Sequence, residues 1–555
     1  MTSYTNIALG LKKAQEAYPY KRAVVYPAGR DRAGRVLYSQ MTFTQLEQES
    51  DRLAFSLERI GIIRGTRTIL MVRPGMEFFI IVFAMFKVGA IPVVVDPGMG
   101  IERMLQCLEE GRPVAFIGIE KAHLLRKLKP RYFKSVKHWV TVGNRWFWGG
   151  YTLDQLLTGP YKPYSHAKTT KDETAAIVFT TGATGPAKGV VYTHGNFDAQ
   201  IRQIQEYFQI EPDEIDLPTF PLFALFDPAL GMTAVIPDMD PTKPALANPR
   251  KIIEAIENHG VTNMFASPAL LNRLGQYGKQ NQIKLPSLRR VISAGAPVSP
   301  ANIEQFSLML SGPAQIHIPY GATEAVPIIS MGSNEILAET RALSEKGYGL
   351  CIGRPICNTR IDIIRITDNP ITQIHDNIKA PEKQVGEIMV KADLVTQHYF
   401  NNREADLMAK IPDSDGKVWH RMGDLGWRDS KGRIWFCGRK SHRVVTRKET
   451  LFTIPVEAIF NTHEKVFRSA LAGVGPKNDQ TPVIFIEPRS PIKDEKTFIR
   501  ELFALAKSNP LTSGIEHIFI EKSFPVDIRH NSKIFREKLA EKARKKLKLQ
   551  SGKRS

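Results

Sequence analysis

Over about the first 430 residues short apolar runs alternate with longer amphipathic ones, and few architectures accept that pattern. Gln45–Ile60 carries Leu46, Leu53, Phe55, Leu57 and Ile60 at helical spacing, and the preceding Thr42-Phe43-Thr44 supplies hydroxyls able to cap free backbone N–H groups. Thr68–Val72, Ile91–Val95, Val114–Ile119, Trp139–Val142 and Ala175–Phe179 read as buried strands. Lys251–His259 reads as a helix, and Asn263–Phe265 and Val291–Ser293 as strands of a second sheet. Strand and helix alternating in this way predict mainly parallel α/β sheets joined by crossovers.

A chain of 555 residues exceeds one simple core, so more than one domain is expected. From Gly349 the pattern turns to short strands and turns, as in Arg360–Ile366 and Gly386–Lys391, which suits a small β-barrel or edge sheet. Beyond Gly438 come Arg443–Thr446, Val466–Val474, Pro482–Ile486, a helix over Lys496–Lys507 and His517–Glu521. The expected fold class is therefore α/β: a large N-terminal domain of two α/β sheets plus a small β-barrel, over residues 1–438, and a small α+β domain over 439–555.

Cys107, Cys351, Cys357 and Cys437 lie far apart without metal-ligand spacing, which argues against a disulfide framework or zinc site and for a reducing, cytoplasmic setting. Met1–Arg22 lacks a secretory apolar core. Lys87, Gly89 and Pro92 interrupt the apolar run Phe78–Val95, and four prolines interrupt Leu217–Met239, so neither reads as a bilayer span. The net charge is +20, and Lys533–Ser555 holds ten Lys or Arg against two Glu, a local net of +8. Such a tail attracts anions generally; a solvated helix face accounts for it, as does peripheral contact with an acidic partner or membrane surface. Nucleic-acid binding lacks an aromatic-basic motif to support it.

Two segments about 140 residues apart carry the chemistry. Thr180–Gly189 follows an apolar strand; its glycines, Gly182, Gly185 and Gly189, allow close approach to an anion, Thr180, Thr181 and Thr184 add hydroxyls, and Lys188 adds a cation. Ala187 and Gly189 around that lysine exclude a Walker A loop. Tyr320-Gly321-Ala322-Thr323-Glu324 adds an aromatic ring for a purine and a carboxylate for Mg²⁺. Gly295-Ala296-Pro297 offers a flat backbone wall for the opposite face of the base. Asp424 can accept from both ribose hydroxyls, and Arg439 offers a fork to ribose or phosphate oxygen. Lys533, before a basic helix, is a candidate cation for the α-phosphate and the attacked carboxylate. Together these residues fit the grip on ATP and the transfer of its AMP portion to a carboxylate.

The order of these motifs, from Thr42 to Lys533, resembles the AMP-forming superfamily of acyl- and aryl-CoA ligases, peptide-synthetase adenylation domains and luciferases. That resemblance implies ATP with Mg²⁺, an acyl-adenylate intermediate, and a small C-terminal domain that rotates between half-reactions about a hinge at Ser441. It implies catalytic roles for Thr184, Lys188, Glu324 and Lys533, metal ligation by Glu324 and Thr180, and nucleotide contacts from Thr180, Thr181, Gly182, Gly185, Gly295–Pro297, Tyr320–Thr323, Asp424 and Arg439.

After Ser441 the segment Val444–Leu451 contains no glycine and carries Arg447-Lys448-Glu449, where CoA-using members usually have a glycine turn beside the pantetheine tunnel. The run Leu217–Gly231 supplies Phe220, Phe223 and Phe226 as a stiff apolar wall for a long alkyl chain; ordinary core packing accounts for it equally. Through Pro237–Pro241 it resembles the olefin-biosynthesis branch of β-lactone synthetases. That branch implies a long-chain 2-alkyl-3-hydroxy fatty acid whose own hydroxyl attacks its acyl-adenylate, and assembly with neighbouring olefin-pathway enzymes. A long-chain acyl-CoA or acyl-AMP ligase is the competing expectation.

Overall fold

A computed structural model describes residues 4–180, 187–220, 224–526 and 534–551. Three large sheets meet in it. The first has seven strands in the order β7-β6-β5-β3-β4-β8-β9: β3 (Arg67–Met71), β4 (Ile91–Val95), β5 (Ala115–Ile119), β6 (His138–Val142), β7 (Tyr151–Thr152), β8 (Thr174–Thr180) and β9 (Lys188–Thr193). All neighbours are parallel except β8 and β9. The second, β14-β13-β12-β10-β11-β1-β2, is built from β1 (Arg22–Arg30), β2 (Val36–Thr42), β10 (Ile215–Pro218), β11 (Thr233–Val235), β12 (Asn263–Ala266), β13 (Arg290–Ser293) and β14 (Gln315–His317). Only its β1–β2 pair is antiparallel.

The segment expected as a barrel or edge sheet forms an eight-stranded antiparallel sheet, β15-β16-β17-β22-β21-β19-β18, with β20 beside β21. Its strands are β15 (Tyr320–Ala322), β16 (Ala325–Ser330), β17 (Leu350–Pro355), β18 (Arg360–Ile364), β19 (Gly386–Lys391), β20 (Lys410–Pro412), β21 (Val418–Arg428) and β22 (Ile434–Arg439). Beyond it lie a hairpin, β23 (Val444–Val445) and β24 (Thr450–Leu451), and a three-stranded sheet of β25 (Val466–Val474), β26 (Thr481–Pro488) and β27 (His517–Ile520). The basic C-terminal segment is the helix Arg536–Ser551.

The helices that matter below are α1 (Leu9–Ala17), α2 (Phe43–Arg59), α3 (Met76–Val88), α4 (Ile101–Glu110), α5 (Glu120–Leu128), α6 (Leu153–Leu157) and α7 (His194–Phe208). Thr42 caps α2 in a capping box with Gln45, satisfying two otherwise unpaired backbone groups. The apolar run Phe78–Val95 resolves into α3, a left-handed Gly89 at φ 74° that ends it, and β4. No helix among the described residues is long and apolar enough to cross a membrane.

The central core gathers Phe43, Leu46, Leu53 and Leu57 of α2 with Phe79, Phe83 and Phe86 of α3. Inside it sits a charge: Lys87, fully buried, lies 2.9 Å from Glu47 and 2.6 Å from Asp51 and donates to the Glu47 carbonyl at 3.0 Å. Burial pushes the Glu47 carboxyl up in pKa, and Lys87 opposes that shift. The lysine that interrupts the apolar run thus ties α3 to α2. Two smaller cores draw only on residues from Val444 onward, one around Phe460, Ile484 and Phe498, the other around Phe485, Leu539 and Ala543.

Lys87→Met strands two buried carboxylates without their cation, and the expected loss is about 3–5 kcal/mol of stability. Chemical denaturation of the two proteins measures it; a loss below about 1 kcal/mol, the scale of an exposed pair, contradicts the assignment.

Candidate active site

The site forms where the first and third sheets touch. The Gly- and Thr-rich segment lies between the paired strands of a hairpin. β8 and β9 pair antiparallel, with Thr180 opposite Lys188, so the loop between them leaves and re-enters the same sheet edge. Of its expected site residues, Thr181, Gly182, Thr184 and Gly185 lie outside the described residues. The helix α7 follows directly, capped by Thr193 in a box with Asn196.

The second edge of β9 is paired by residues 398–400. Phe400 N–H donates to the Gly189 carbonyl at 2.7 Å, and Val190 and Tyr399 form an antiparallel bridge. This places the Tyr399 ring 5.0 Å from Lys188 Nζ. Tyr399 is buried, and its hydroxyl donates to Glu324 Oε1 at 2.6 Å. Burial and the Glu324 charge push the Tyr399 phenol far up in pKa, so it remains a proton donor.

Glu324 occupies the tip of a two-residue hairpin, because Ala322 pairs with Ala325 across β15 and β16. The hairpin is tight: a Cβ at Gly321 would lie 2.4 Å from the Ala325 carbonyl oxygen, so no side chain fits there. Gln200 and Gln203 of α7 donate to the Val326 and Pro327 carbonyls at 2.7 and 2.6 Å, holding β16 against the helix. Tyr192 donates to the Thr323 carbonyl. Thr396 donates its N–H to the Glu324 carbonyl at 3.0 Å, and the buried Lys410 ammonium donates to the Thr396 carbonyl and hydroxyl. Burial lowers the Lys410 pKa to about 8, against the pull of Glu324. Its strand neighbour His420 is also buried, and desolvation holds its imidazole neutral.

A second constellation lies one strand pair away. Asp424 on β21 faces Arg439 on β22. Arg439 Nη1 stands 3.0 Å from Asp424 Oδ1, and Tyr320 Oη donates to Asp424 Oδ2 at 2.6 Å. Burial pushes the Asp424 carboxyl up in pKa, against Arg439 and Tyr320, while Asp424 raises that of Arg439. Asp424 Oδ1, despite its charge contact, accepts no well-directed hydrogen bond. A buried carboxylate oxygen with capacity to spare, beside an aromatic ring, fits a vicinal diol such as a ribose. Glu324, one carboxylate at a hairpin tip, fits a Mg²⁺ ion that takes its other ligands from phosphate and water.

The remaining expectations divide. Gly295, Ala296 and Pro297 follow β13 directly, with Gly295 and Pro297 exposed, so a backbone surface is open there. Phe220 is half-buried with its ring 6.3 Å from Phe265. Phe226 is buried among Phe208, Ile210, Leu230 and Met232, 6.2 Å from Phe197, as a core residue would be. Phe223 and Lys533 lie outside the described residues; Val526 and Ile534, which flank the latter's segment, form an antiparallel bridge. Ser441 is exposed in a single helical turn between Lys440, bonded to Glu387, and Arg443, bonded to Asp368. Its neighbour His442 is half-buried, and desolvation lowers its pKa to about 3. Arg447, Lys448 and Glu449 stand exposed at the tip of the β23–β24 hairpin. Tyr399, Thr396 and Lys410 were not anticipated, since their link to Glu324 exists only once residues 398–400 dock on β9.

An α/β chain that brings a Gly/Thr-rich hairpin, a Tyr–Glu hairpin and an Asp–Arg strand pair to one place defines an adenylate-forming enzyme, and the chain belongs to the AMP-binding enzyme family, whose model matches residues 11–400. It is 44% identical over 551 residues to an olefin beta-lactone synthetase from Xanthomonas campestris pv. campestris, covering 97% of this chain and 98% of that protein. An olefin beta-lactone synthetase from Stenotrophomonas maltophilia is likewise 44% identical over 543 residues, covering 96% and 97%. The fold superimposes with a TM-score of 0.73 on o-succinylbenzoate coenzyme A synthetase from Bacillus subtilis in complex with ATP and magnesium ion, at 20% identity, covering 95% and 98%.

Asp424→Ala is expected to weaken ATP binding about 10- to 100-fold, the value of a charge-assisted hydrogen-bond pair, and to leave acyl-substrate binding nearly unchanged. Isothermal calorimetry with each ligand decides; unchanged ATP affinity removes the ribose role.

Proposed function

We propose that this enzyme activates a long-chain 2-alkyl-3-hydroxy fatty acid with ATP and closes it to a β-lactone, releasing pyrophosphate and AMP in the cytoplasm. The observation that carries this reading is the 44% identity, over nearly the whole chain, to proteins named olefin beta-lactone synthetase. The site geometry supports its first half and the glycine-free hairpin tip its second.

In the first step a carboxylate oxygen of the acid attacks the α-phosphorus, forming the acyl–phosphate bond as pyrophosphate leaves. Tyr320 packs against the base, Asp424 and Arg439 hold the ribose, and Gly295–Pro297 cover the other face of the purine. Thr180, Thr181, Gly182, Thr184, Gly185 and Lys188 cradle the phosphates. Glu324 and Thr180 would hold Mg²⁺, which supplies charge neutralisation to the phosphates. Tyr399 and Lys410 position Glu324: the phenol orients its carboxylate, and the ammonium locks Thr396 against its backbone.

In the second step the substrate's 3-hydroxyl oxygen attacks the acyl carbonyl; its proton leaves to base, the carbonyl–phosphate bond breaks, and AMP departs. Holding hydroxyl and carbonyl in one molecule gains effective concentration, which offsets part of the ring strain. The exposed Arg447-Lys448-Glu449 turn gives a CoA arm no glycine-lined groove to follow. Residues 439–555 are assigned as the mobile domain that carries Lys533 to the α-phosphate about Ser441. Cores that begin only at Val444, and a junction made of ion pairs such as Arg443–Asp368 at 2.8 Å, support that division. Phe220 and Phe223 line the alkyl chain, with Phe226 behind them.

With a 2-alkyl-3-hydroxy acid and ATP, mass spectrometry is expected to find AMP and lactone without CoA. The same acid lacking the hydroxyl should stop at bound acyl-adenylate, its AMP release slow and little helped by CoA. Rapid CoA-dependent thioester from either acid, without lactone, restores the ordinary ligase.

Lys533→Ala removes a cation from the first step, and adenylate formation is expected to fall about 100-fold, near 3 kcal/mol. Pyrophosphate release at the parent rate contradicts the assignment.

A further inference from the structure

The loop between β6 and β7 reads Gly143-Asn144-Arg145-Trp146-Phe147-Trp148-Gly149-Gly150, and its three aromatics do not share one fate. Trp148 is buried: its indole N–H donates to Thr141 Oγ1 at 3.0 Å, and its ring stacks on His123 of α5 at 5.3 Å and 6°. Asn144 N–H donates to Glu120 Oε1 at 2.9 Å, and Arg145 donates to the Gly150 carbonyl. The loop is therefore fastened at both ends and in the middle. Trp146 and Phe147 nonetheless remain 56% and 73% exposed. Leu128 at the end of α5 is 69% exposed, and Tyr151 and Leu124 are also exposed. Two neighbouring aromatic side chains held outward by a rigid loop are costly in water, and no part of the proposed reaction uses them.

The segment that carries the loop is strongly basic in sequence. Residues 120–151 contain eight Lys or Arg (Lys121, Arg126, Lys127, Lys129, Arg131, Lys134, Lys137 and Arg145) against Glu120 alone. Lys129 and Arg131 reach Glu102 of α4, and Arg126 lies over the Trp139 ring. Lys121, Lys127, Lys134 and Lys137 are exposed and make no ion pair among the described residues. Apolar wedge and unpaired ammonium groups are the two elements of peripheral attachment to an anionic bilayer: rings enter the headgroup boundary while lysines meet phosphate. Protein interfaces are depleted in lysine, so a wedge rimmed by lysines suits a protein partner less well.

The wedge also has a useful position. β6, β5, β3, β4 and β8 are parallel neighbours, so the loop after β6 leaves the same edge of the sheet as the Gly/Thr-rich loop after β8. Four strand spacings separate them, about 19 Å.

We propose that the Trp146–Phe147 wedge, with the lysines of α5 and residues 134–137, docks this enzyme on the surface of an anionic phospholipid bilayer. The site is distinct from the basic C-terminal helix. Docking rests on the loop and these lysines; lipid substrates would give it a use, but the test does not depend on which acid is turned over.

The test is co-sedimentation of the full chain with phosphatidylglycerol-rich vesicles and with pure phosphatidylcholine vesicles. The parent protein is expected to pellet with the anionic vesicles only, with a blue-shifted tryptophan emission. Trp146→Ser with Phe147→Ser should lower the partition coefficient roughly tenfold or more, in proportion to the apolar area lost. Lys121→Ser with Lys127→Ser should weaken binding without touching the rings and guards against misfolding of the loop variant, while Arg544→Ser with Lys545→Ser in the terminal helix should leave most binding intact. Three outcomes overturn the proposal: no binding to anionic vesicles, loop and α5 variants that bind like the parent, or a loop-dependent protein dimer in place of vesicle binding.

Discussion

The hydrogen bond from Tyr399 to Glu324 is the joint on which the site depends. Glu324 belongs to the third sheet and the β8–β9 hairpin to the first, and contacts between the two sheets fix their relation. Tyr192 of β9 bonds the Thr323 carbonyl, Gln200 and Gln203 hold β16, and residues 398–400 pair with β9, so the phenol that orients Glu324 also lies beside Lys188, the first residue of β9. Glu324 in turn is fastened through its own carbonyl to Thr396, and Thr396 to Lys410. Burying a lysine there carries a desolvation cost, visible in its lowered pKa, which its two acceptors and the nearby carboxylates offset.

That joint accounts for what could and could not be read from the sequence. β4, β19 and β25 fall on the expected boundaries, because their apolar runs are bounded by turn residues and buried on a sheet. Glu324, Asp424 and Arg439 stand out in the sequence as candidates because each sits in a short segment whose neighbours suit nucleotide chemistry. The structure adds that Tyr320 and Arg439 both engage Asp424, one at each carboxylate oxygen. Tyr399 and Lys410 carry no local signal: a tyrosine and a lysine in ordinary surroundings acquire meaning only through contacts 75 and 14 residues away. Lys87 is the converse case. In sequence it breaks an apolar run, yet in the fold it is a fully buried cation that draws α2 and α3 together.

Phe226 shows where residue type alone misleads. Phe220 and Phe226 have the same side chain within one run, but Phe226 packs into the core beneath α7 while Phe220 is only half-buried. Aromatic content therefore predicted an apolar wall without separating its lining from its support. The loop after β6 follows the same logic with the opposite result, since Trp148 fills the core and its two predecessors face outward. In the proposed function the nucleotide grip lies on strand ends and hairpin tips, and the acyl substrate supplies its own nucleophile.

The central claim is that the carboxyl group is activated and the hydroxyl attacks. Oxygen-18 labelling tests it directly. With both carboxylate oxygens labelled, the account predicts AMP carrying one label and lactone carrying one, at its carbonyl, while a labelled hydroxyl oxygen ends in the ring. Lactone that keeps both carboxylate labels, with the hydroxyl oxygen appearing in AMP, would mean that the hydroxyl is the activated group, and would contradict it.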